Sequence, residues 1–325
     1  MKSSMSFLTK TMALVFSMTL VGCAGTAPSA PATTDAPATQ QEQEAQAQPD
    51  FSQARVSYLG PEGTYTQEAC GVFFGGEGTY LPQVDVATSV QVLVADDVDY
   101  AVIPQENTIG GSIAEYLDEV IGNEGVCVVG EVELPISQNL LAKPGTELQD
   151  IHTVYSHKQG IAQGKAWLEE HLPDAEVVEV SSTAEGARMA AEAEGNDCAA
   201  IGSAAAAGVY GLEVAADNIQ MNNSNKTRFY VLALGEPLKE ASDRMGFLAS
   251  GDVGDLAELL TSVEAQGMEV VAVHDRPEKT ELGRYTYLVE CKGGGADAFD
   301  KVVAENPSLT YRYLGSFPSG NGGIP

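Results

Sequence analysis

The run VSYLGPEGTYTQEACGVFF, residues 56–74, changes character twice. VSYL is apolar and β-rich, as a short buried strand is. GPEGT supplies turn residues, and TQEACGVFF reads as a helix. A strand that passes through a tight polar turn into a helix is the repeating unit of an α/β fold.

Outward from this run the unit recurs. SVQVLVADD is a helix and YAVIP a strand, and SIAEYLDEVI is a helix with Ile113, Tyr116, Leu117, Val120 and Ile121 on one face. VCVVGEVEL, SQNLLA and TVYS read as strands, followed by the helix QGIAQGKAWLEEHL, the strand AEVVEVSS and the helix TAEGARMAAEAE. DCAAIGS, the alanine-rich AAAAGVYG and the strand FYVLAL complete a body over residues 55–235, predicted as α/β with largely parallel sheets. A polar hinge, GEPLKEASDR, leads into a second unit over 244–318. Its order of strand, helix, strand, strand, helix, strand is the ferredoxin-like βαββαβ pattern.

The N-terminal residues indicate a compartment. Lys2 and Lys10 precede TMALVFSMTLVG, an uncharged run too short to span a bilayer, which needs about 20 apolar residues. Residues 1–22 are therefore expected to be a secretory signal. LVGC ends at Cys23 in the pattern of a lipoprotein cleavage site, which predicts lipidation of Cys23 and an extracytoplasmic, membrane-anchored protein. Residues 23–54 are rich in Ala, Pro, Thr and Gln and hold little to bury, so they are expected to form a flexible spacer.

The formal charge of −29, with only 17 Lys and Arg, excludes a nucleic-acid partner. Beyond Cys23, Cys70, Cys127, Cys198 and Cys291 are far apart, with no CxxC and no His/Cys cluster, so no metal site is expected. In an exported protein these four could pair into two disulfides, but Cys127 and Cys198 sit in apolar strand-like runs, where a buried free thiol is the more frequent state.

Several strand ends run into small polar residues that open a helix: GPEGT with Thr64, Glu106-Asn107 before Gly110-Gly111, Ser156-His157, and Ser181-Ser182-Thr183. In an open α/β sheet such ends border one crevice, and helix starts present unpaired N–H groups to anions. Capping alone accounts for a single Ser or Thr at a helix start; the set of four is what suggests an anion-binding cleft. Thr227 and Arg228 stand at the mouth of the strand FYVLAL. A guanidinium fits a carboxylate in a planar fork, which favours Arg228 as a ligand for an anionic substrate over the alternative that it pairs with a neighbouring Asp or Glu.

Taken together, VSYLGPEGTYTQEA, VIPQENTIGGSI, YSHKQGIAQGKAWLEEHLP, SSTAEGARMAAE, AAIGS with YGLEV, and NKTRFYVL resemble the prephenate dehydratase family with a C-terminal ACT regulatory domain, over residues 55–318. The resemblance implies a two-lobed catalytic domain like a periplasmic binding protein, followed by an ACT domain. It implies conversion of prephenate to phenylpyruvate, carbon dioxide and water with no metal or organic cofactor, and side-by-side association into a homodimer or homotetramer. It assigns Thr227 as donor to the departing hydroxyl and Arg228 as holder of a substrate carboxylate. Asn107, Ser156 and Gln163 would position the substrate, and Glu106, Thr64, Phe229, Ser182 and Thr183 would line the cleft. His157 precedes its helix and is read as a cap.

The chain departs from the family at Lys158, where SHPQ becomes SHKQ. It departs again in the last domain, where Val253-Gly254-Asp255-Leu256 and His274-Asp275-Arg276-Pro277 replace PGAL and ESRP. In the family those two segments form the phenylalanine site, so Gly254, Leu256, Arg276 and Pro277 are the positions at which an effector would bind. Two other functions fit the same residues: arogenate dehydration, in which an amine would need an acidic partner, and ligand capture by a non-catalytic solute-binding lipoprotein.

Overall fold

The computed structural model describes residues 50–320. The expected signal, Cys23 and the expected spacer up to residue 49 lie outside the described residues. The end of the predicted spacer needs correction. Phe51 is buried, its ring edge-on to Phe74 at 5.0 Å and to Tyr100 at 6.1 Å, because burial of an aromatic ring outweighs the ordering of a few flanking residues.

The first lobe holds β1 (Arg55–Leu59), α1 (Tyr65–Phe73), β2 (Thr79–Gln83), α2 (Val86–Val94), β3 (Tyr100–Asn107), the short β4 (Gly111–Ser112), α3 (Ala114–Gly122) and β5 (Val126–Pro135). The chain then enters the second lobe, with β6 (Asn139–Ala142), β7 (Thr153–Ser156), α4 (Lys158–His171), β8 (Glu176–Glu179), α5 (Thr183–Glu192), β9 (Cys198–Gly202), α6 (Ala204–Tyr210) and β10 (Glu213–Ala216). It returns as β11 (Lys226–Leu234), which inserts between β3 and β5. The strand orders are β2-β1-β3-β11-β5, with β4 on β3, and β10-β6-β9-β7-β8.

Both sheets are mixed, which corrects the expectation of largely parallel pairing. The β1–β2, β1–β3, β7–β8 and β7–β9 pairs are parallel, whereas β11 is antiparallel to β3 and β5, and β6 to β9. The cause is the return crossing. β3 ends at the cleft and β11 begins there, so the two meet head to tail and Thr227 is in register with Asn107.

The last unit contains β12 (Arg244–Asp252), a 3₁₀ turn (Val253–Asp255), α7 (Leu256–Ala265), β13 (Glu269–Pro277), β14 (Arg284–Lys292), α8 (Ala296–Glu305) and β15 (Thr310–Phe317). Its antiparallel sheet, ordered β13-β14-β12-β15, is the βαββαβ arrangement. The two-residue strand period separates its faces. Met245, Phe247 and Ala249 pack with Leu259, Val263, Phe299 and Val302 under α7 and α8. Leu248, Leu288, Leu314 and Phe317 pack instead with Val128, Tyr230 and Leu232 of the first lobe, and Phe317 lies edge-on to Tyr230 at 5.8 Å. Buried on both faces, this sheet is continuous with the core beneath β11. The four described cysteines beyond the spacer are buried and free.

Candidate active site

A cavity of about 460 Å³ is lined by residues of both lobes. The first lobe contributes the 59–66 turn, Asn107 with Gly110 and Gly111, and Thr227 with Phe229; the second contributes His157, Gln159, Gly160 and Gln163 of the α4 start and Ser181, Ser182 and Thr183 of the α5 start. The sequence-derived residues Thr64, Asn107, Gln163, Ser182, Thr183, Thr227 and Phe229 are thus brought together. The described lining contains no Asp, Glu, Lys or Arg.

Three helix starts reach this cavity. α1 begins after Thr64, whose hydroxyl donates to the Leu59 carbonyl at 3.0 Å and leaves the helix start uncapped. α4 begins after His157, whose Nδ1 accepts from Gln159 N at 3.4 Å. α5 begins after Ser182, whose hydroxyl accepts from Glu185 N at 3.0 Å. Helix starts carry partial positive charge and free N–H groups. An anion can therefore be held here with no side-chain cation, despite a formal charge of −29 over the chain. Lys158 is exposed and does not line the cavity.

Thr227 is the best-defined donor. Asn107 Oδ1 accepts from Ile109 N at 3.0 Å and Gly110 N at 2.9 Å, which fixes the orientation of its amide. Its Nδ2 therefore donates, to Thr227 Oγ1 at 2.9 Å, Asn225 Oδ1 at 2.9 Å and the Lys226 carbonyl at 3.2 Å. Since Thr227 Oγ1 accepts from an amide, its own hydrogen remains free to serve a group in the cavity.

Three assignments need correction. Arg228 does not face the cavity. Successive strand residues point to opposite faces, so with Thr227 and Phe229 toward the cleft, Arg228 turns to the buried side. There its guanidinium meets Glu106 at 2.8 Å, Glu131 at 3.1 Å and Glu290 of β14 at 2.8 Å. Glu106, one residue before Asn107, turns away by the same alternation and belongs to this cluster instead of the cleft. Ser156 is fully buried beneath the α4 start, donating to the Ile201 carbonyl at 2.8 Å, and supports the site from below.

The cluster is electrostatically crowded. Burial pushes the Glu290 carboxyl up to about 7 against the pull of Arg228, and burial likewise raises Glu131. Burial alone would lower the Arg228 guanidinium, but Glu290 and Glu131 outweigh it and hold it above its ordinary value. Arg244 stands 3.8 Å from Glu131.

Sequence reasoning passed over Gln138 and Asn225. Gln138 lay inside a stretch read simply as a strand, and Asn225 is a plain amide at the edge of a motif. Both line the cavity, 3% and 1% exposed. Gly160 is a further site element. A Cβ there would stand 2.5 Å from Ser156 Oγ and 3.3 Å from Thr183 Cγ2. Gly160→Ala is expected to cost about 1–3 kcal/mol of stability as an overpacked core does, and to lower kcat/KM by displacing the α4 start. Thermal melting and steady-state kinetics check both.

In the last unit, Gly251 of β12 and Pro277 of β13 both pair with Tyr285. The turn holding Gly254, the start of α7 at Leu256, and Arg276-Pro277 therefore share one end of the sheet. Arg276 pairs with Asp118 of α3, and His274 Nδ1 lies 2.7 Å from the Tyr116 hydroxyl and 3.0 Å from that of Ser112. Burial lowers the His274 imidazole.

The family model described as prephenate dehydratase matches residues 56–236. The bifunctional chorismate mutase/prephenate dehydratase of Stutzerimonas stutzeri is 33% identical over 269 residues, covering 81% of this chain and 73% of that protein. The prephenate dehydratase of Mycobacterium ulcerans is 32% identical over 285 residues, covering 82% of this chain and 89% of its own. Among solved structures, prephenate dehydratase from Arthrobacter aurescens in complex with L-Phe superposes with a TM-score of 0.71 at 30% identity, covering 81% of this chain and 89% of that one.

Proposed function

Because this chain belongs to the prephenate dehydratase family, we propose that its interlobe cavity converts prephenate to phenylpyruvate with Thr227 as donor to the departing hydroxyl. The observation that carries the assignment of the donor is the Asn107–Thr227 pair, which leaves the threonine hydrogen free inside a cavity of about 460 Å³.

The C1–carboxylate bond breaks to release carbon dioxide, and its electron pair enters the ring to complete the aromatic sextet. The C4–O bond breaks, and the departing oxygen collects its second proton from water. Threonine is too weak an acid to surrender its proton outright at neutral pH. A hydrogen bond that strengthens as negative charge grows on oxygen stabilises the transition state more than the ground state. Aromatisation and loss of carbon dioxide supply the driving force, while the helix starts of α1, α4 and α5 hold the carboxylates.

The cavity favours the keto acid over arogenate. The arogenate ammonium needs an acceptor or an anion, and the described lining has no carboxylate. Gln138 Oε1, a buried acceptor without a partner among the described residues, is a neutral amide oxygen that cannot balance an ammonium charge. A solute-binding role would leave the placement of the Thr227 donor without use.

We propose in addition that the βαββαβ unit is an ACT domain that pairs two chains and takes phenylalanine at the end of the sheet near Gly254, Leu256, Arg276 and Pro277. Residues 1–22 would direct export and Cys23 would carry lipid. These readings are supported by the unit's strand order and by the sequence of the leader. Purified protein is expected to form phenylpyruvate from prephenate, with arogenate at least tenfold slower and with phenylalanine lowering the rate. Prephenate loss no faster than in buffer rejects the catalytic reading. A rate indifferent to phenylalanine rejects the effector, and protein recovered wholly outside the membrane fraction of its host rejects the anchor.

A further inference from the structure

We infer that Asn225 is a positioning residue that sets the direction of the amide chain across the cavity, so that Gln163 Nε2 and the Thr227 hydroxyl are the donors presented to the substrate. The inference rests on the prephenate reading and extends it to specificity. Asn225 is 1% exposed and lies on the return crossing between the lobes, just before β11. Its Oδ1 accepts from Asn107 Nδ2 at 2.9 Å and from Thr108 Oγ1 at 3.3 Å. Its Nδ2 donates to Gln163 Oε1 at 3.3 Å across the cleft, where Gln138 Nε2 also donates at 3.2 Å.

An amide has one acceptor end and one donor end, so a chain of amides has a direction. Here the direction is anchored at one end by backbone. Ile109 N and Gly110 N hold Asn107 Oδ1, and the Lys226 carbonyl accepts from Asn107 Nδ2. Asn225 must therefore offer its oxygen to Asn107 and its nitrogen to Gln163. Gln163 must in turn spend its oxygen on Asn225 and Gln138, which leaves its Nε2 as a free donor. At the other end, Thr227 accepts from Asn107 and keeps its hydrogen for the cavity. Reversal at Asn225 would turn Gln163 round and present an acceptor to a substrate that carries two carboxylates and a ketone.

Asn225→Asp tests this, because the carboxylate still accepts from Asn107 but cannot donate to Gln163. Gln163 is then expected to rotate, donating to Asp and turning its oxygen to the cavity. For the variant, kcat/KM with prephenate should fall at least tenfold, and the prephenate-to-arogenate ratio should fall at least tenfold as well. A merely structural role would lower both substrates together, and an unchanged ratio in the folded variant overturns the inference. The Asp carboxylate would by itself attract the arogenate ammonium, so the same change is also made in a Gln163→Met background, where the ratio should no longer move; a fall that persists there is the charge of Asp itself and likewise overturns the inference. The second measurement uses the unaltered protein and needs no turnover. Side-chain amide NMR during titration with phenylpyruvate should show the Gln163 NH₂ signals shifting and the Asn225 NH₂ protected from exchange. Free exchange of the Asn225 amide, or a Gln163 amide indifferent to phenylpyruvate while other lining groups respond, also overturns it. If the unaltered protein binds phenylpyruvate but does not turn over prephenate, the functional reading fails while the amide measurement still decides the polarity.

Discussion

Thr227→Val is expected to lower kcat for prephenate by about 10²–10³, the loss seen when one oxyanion-type donor is removed, or ~3–4 kcal/mol. Valine matches threonine in shape, so the loss isolates the hydroxyl. Asn107 Nδ2 keeps Asn225 Oδ1 and the Lys226 carbonyl as acceptors after the change, so no buried donor is stranded. The melting temperature should therefore stay close to that of the parent. KM should also change little, because the bond is made mainly as the C–O bond breaks, and such an interaction lowers kcat and kcat/KM together. Thr227→Ser keeps the hydroxyl and should recover most of the rate. Phenylpyruvate formation followed by absorbance reads all three, and a valine variant within threefold of the parent rejects Thr227 as the donor.

The elements of this fold were legible because their signals are local. The strand VSYL, its GPEGT turn and the helix that follows are written in adjacent residues, and so is the βαββαβ order of the last unit. The polar strand ends could be found for the same reason, and the fold carries Thr64, Asn107, Ser182 and Thr227 to one cavity. What could not be read depends on residues distant in sequence. The mixed sheets follow from β11 re-entering the first lobe after the whole second lobe has been made. Asn225 gains its role from Asn107 and Gln163, 118 and 62 residues away. Arg228 was misassigned although the two-residue strand period, applied to Thr227 and Phe229, would have turned it from the cleft. Its partners Glu131 and Glu290 lie 97 and 62 residues off, and nothing near the motif announces them.

Arg228→Met should accordingly act on stability before chemistry. Removing one partner from a buried ion cluster costs about 3–5 kcal/mol because the remaining charges lose their compensation. Here the guanidinium serves Glu106, Glu131 and Glu290, and the last two are almost fully buried. The loss should depend on pH. Burial holds the folded Glu290 carboxyl up at about 7, above the ordinary 4.5, so its contribution is fully present below the unfolded value and is lost as pH rises through about 7. Without Arg228 the carboxyl is driven higher still, so the gap between variant and parent should widen from pH 5 to pH 8. Glu290→Gln in the same background should recover part of it, since a neutral amide needs no counter-charge. Urea unfolding across this range checks the sign. The catalytic effect should be secondary, through strain on the strand that carries Thr227. The opposite pattern, an unchanged midpoint with KM for prephenate raised about a hundredfold, would return Arg228 to the substrate carboxylate.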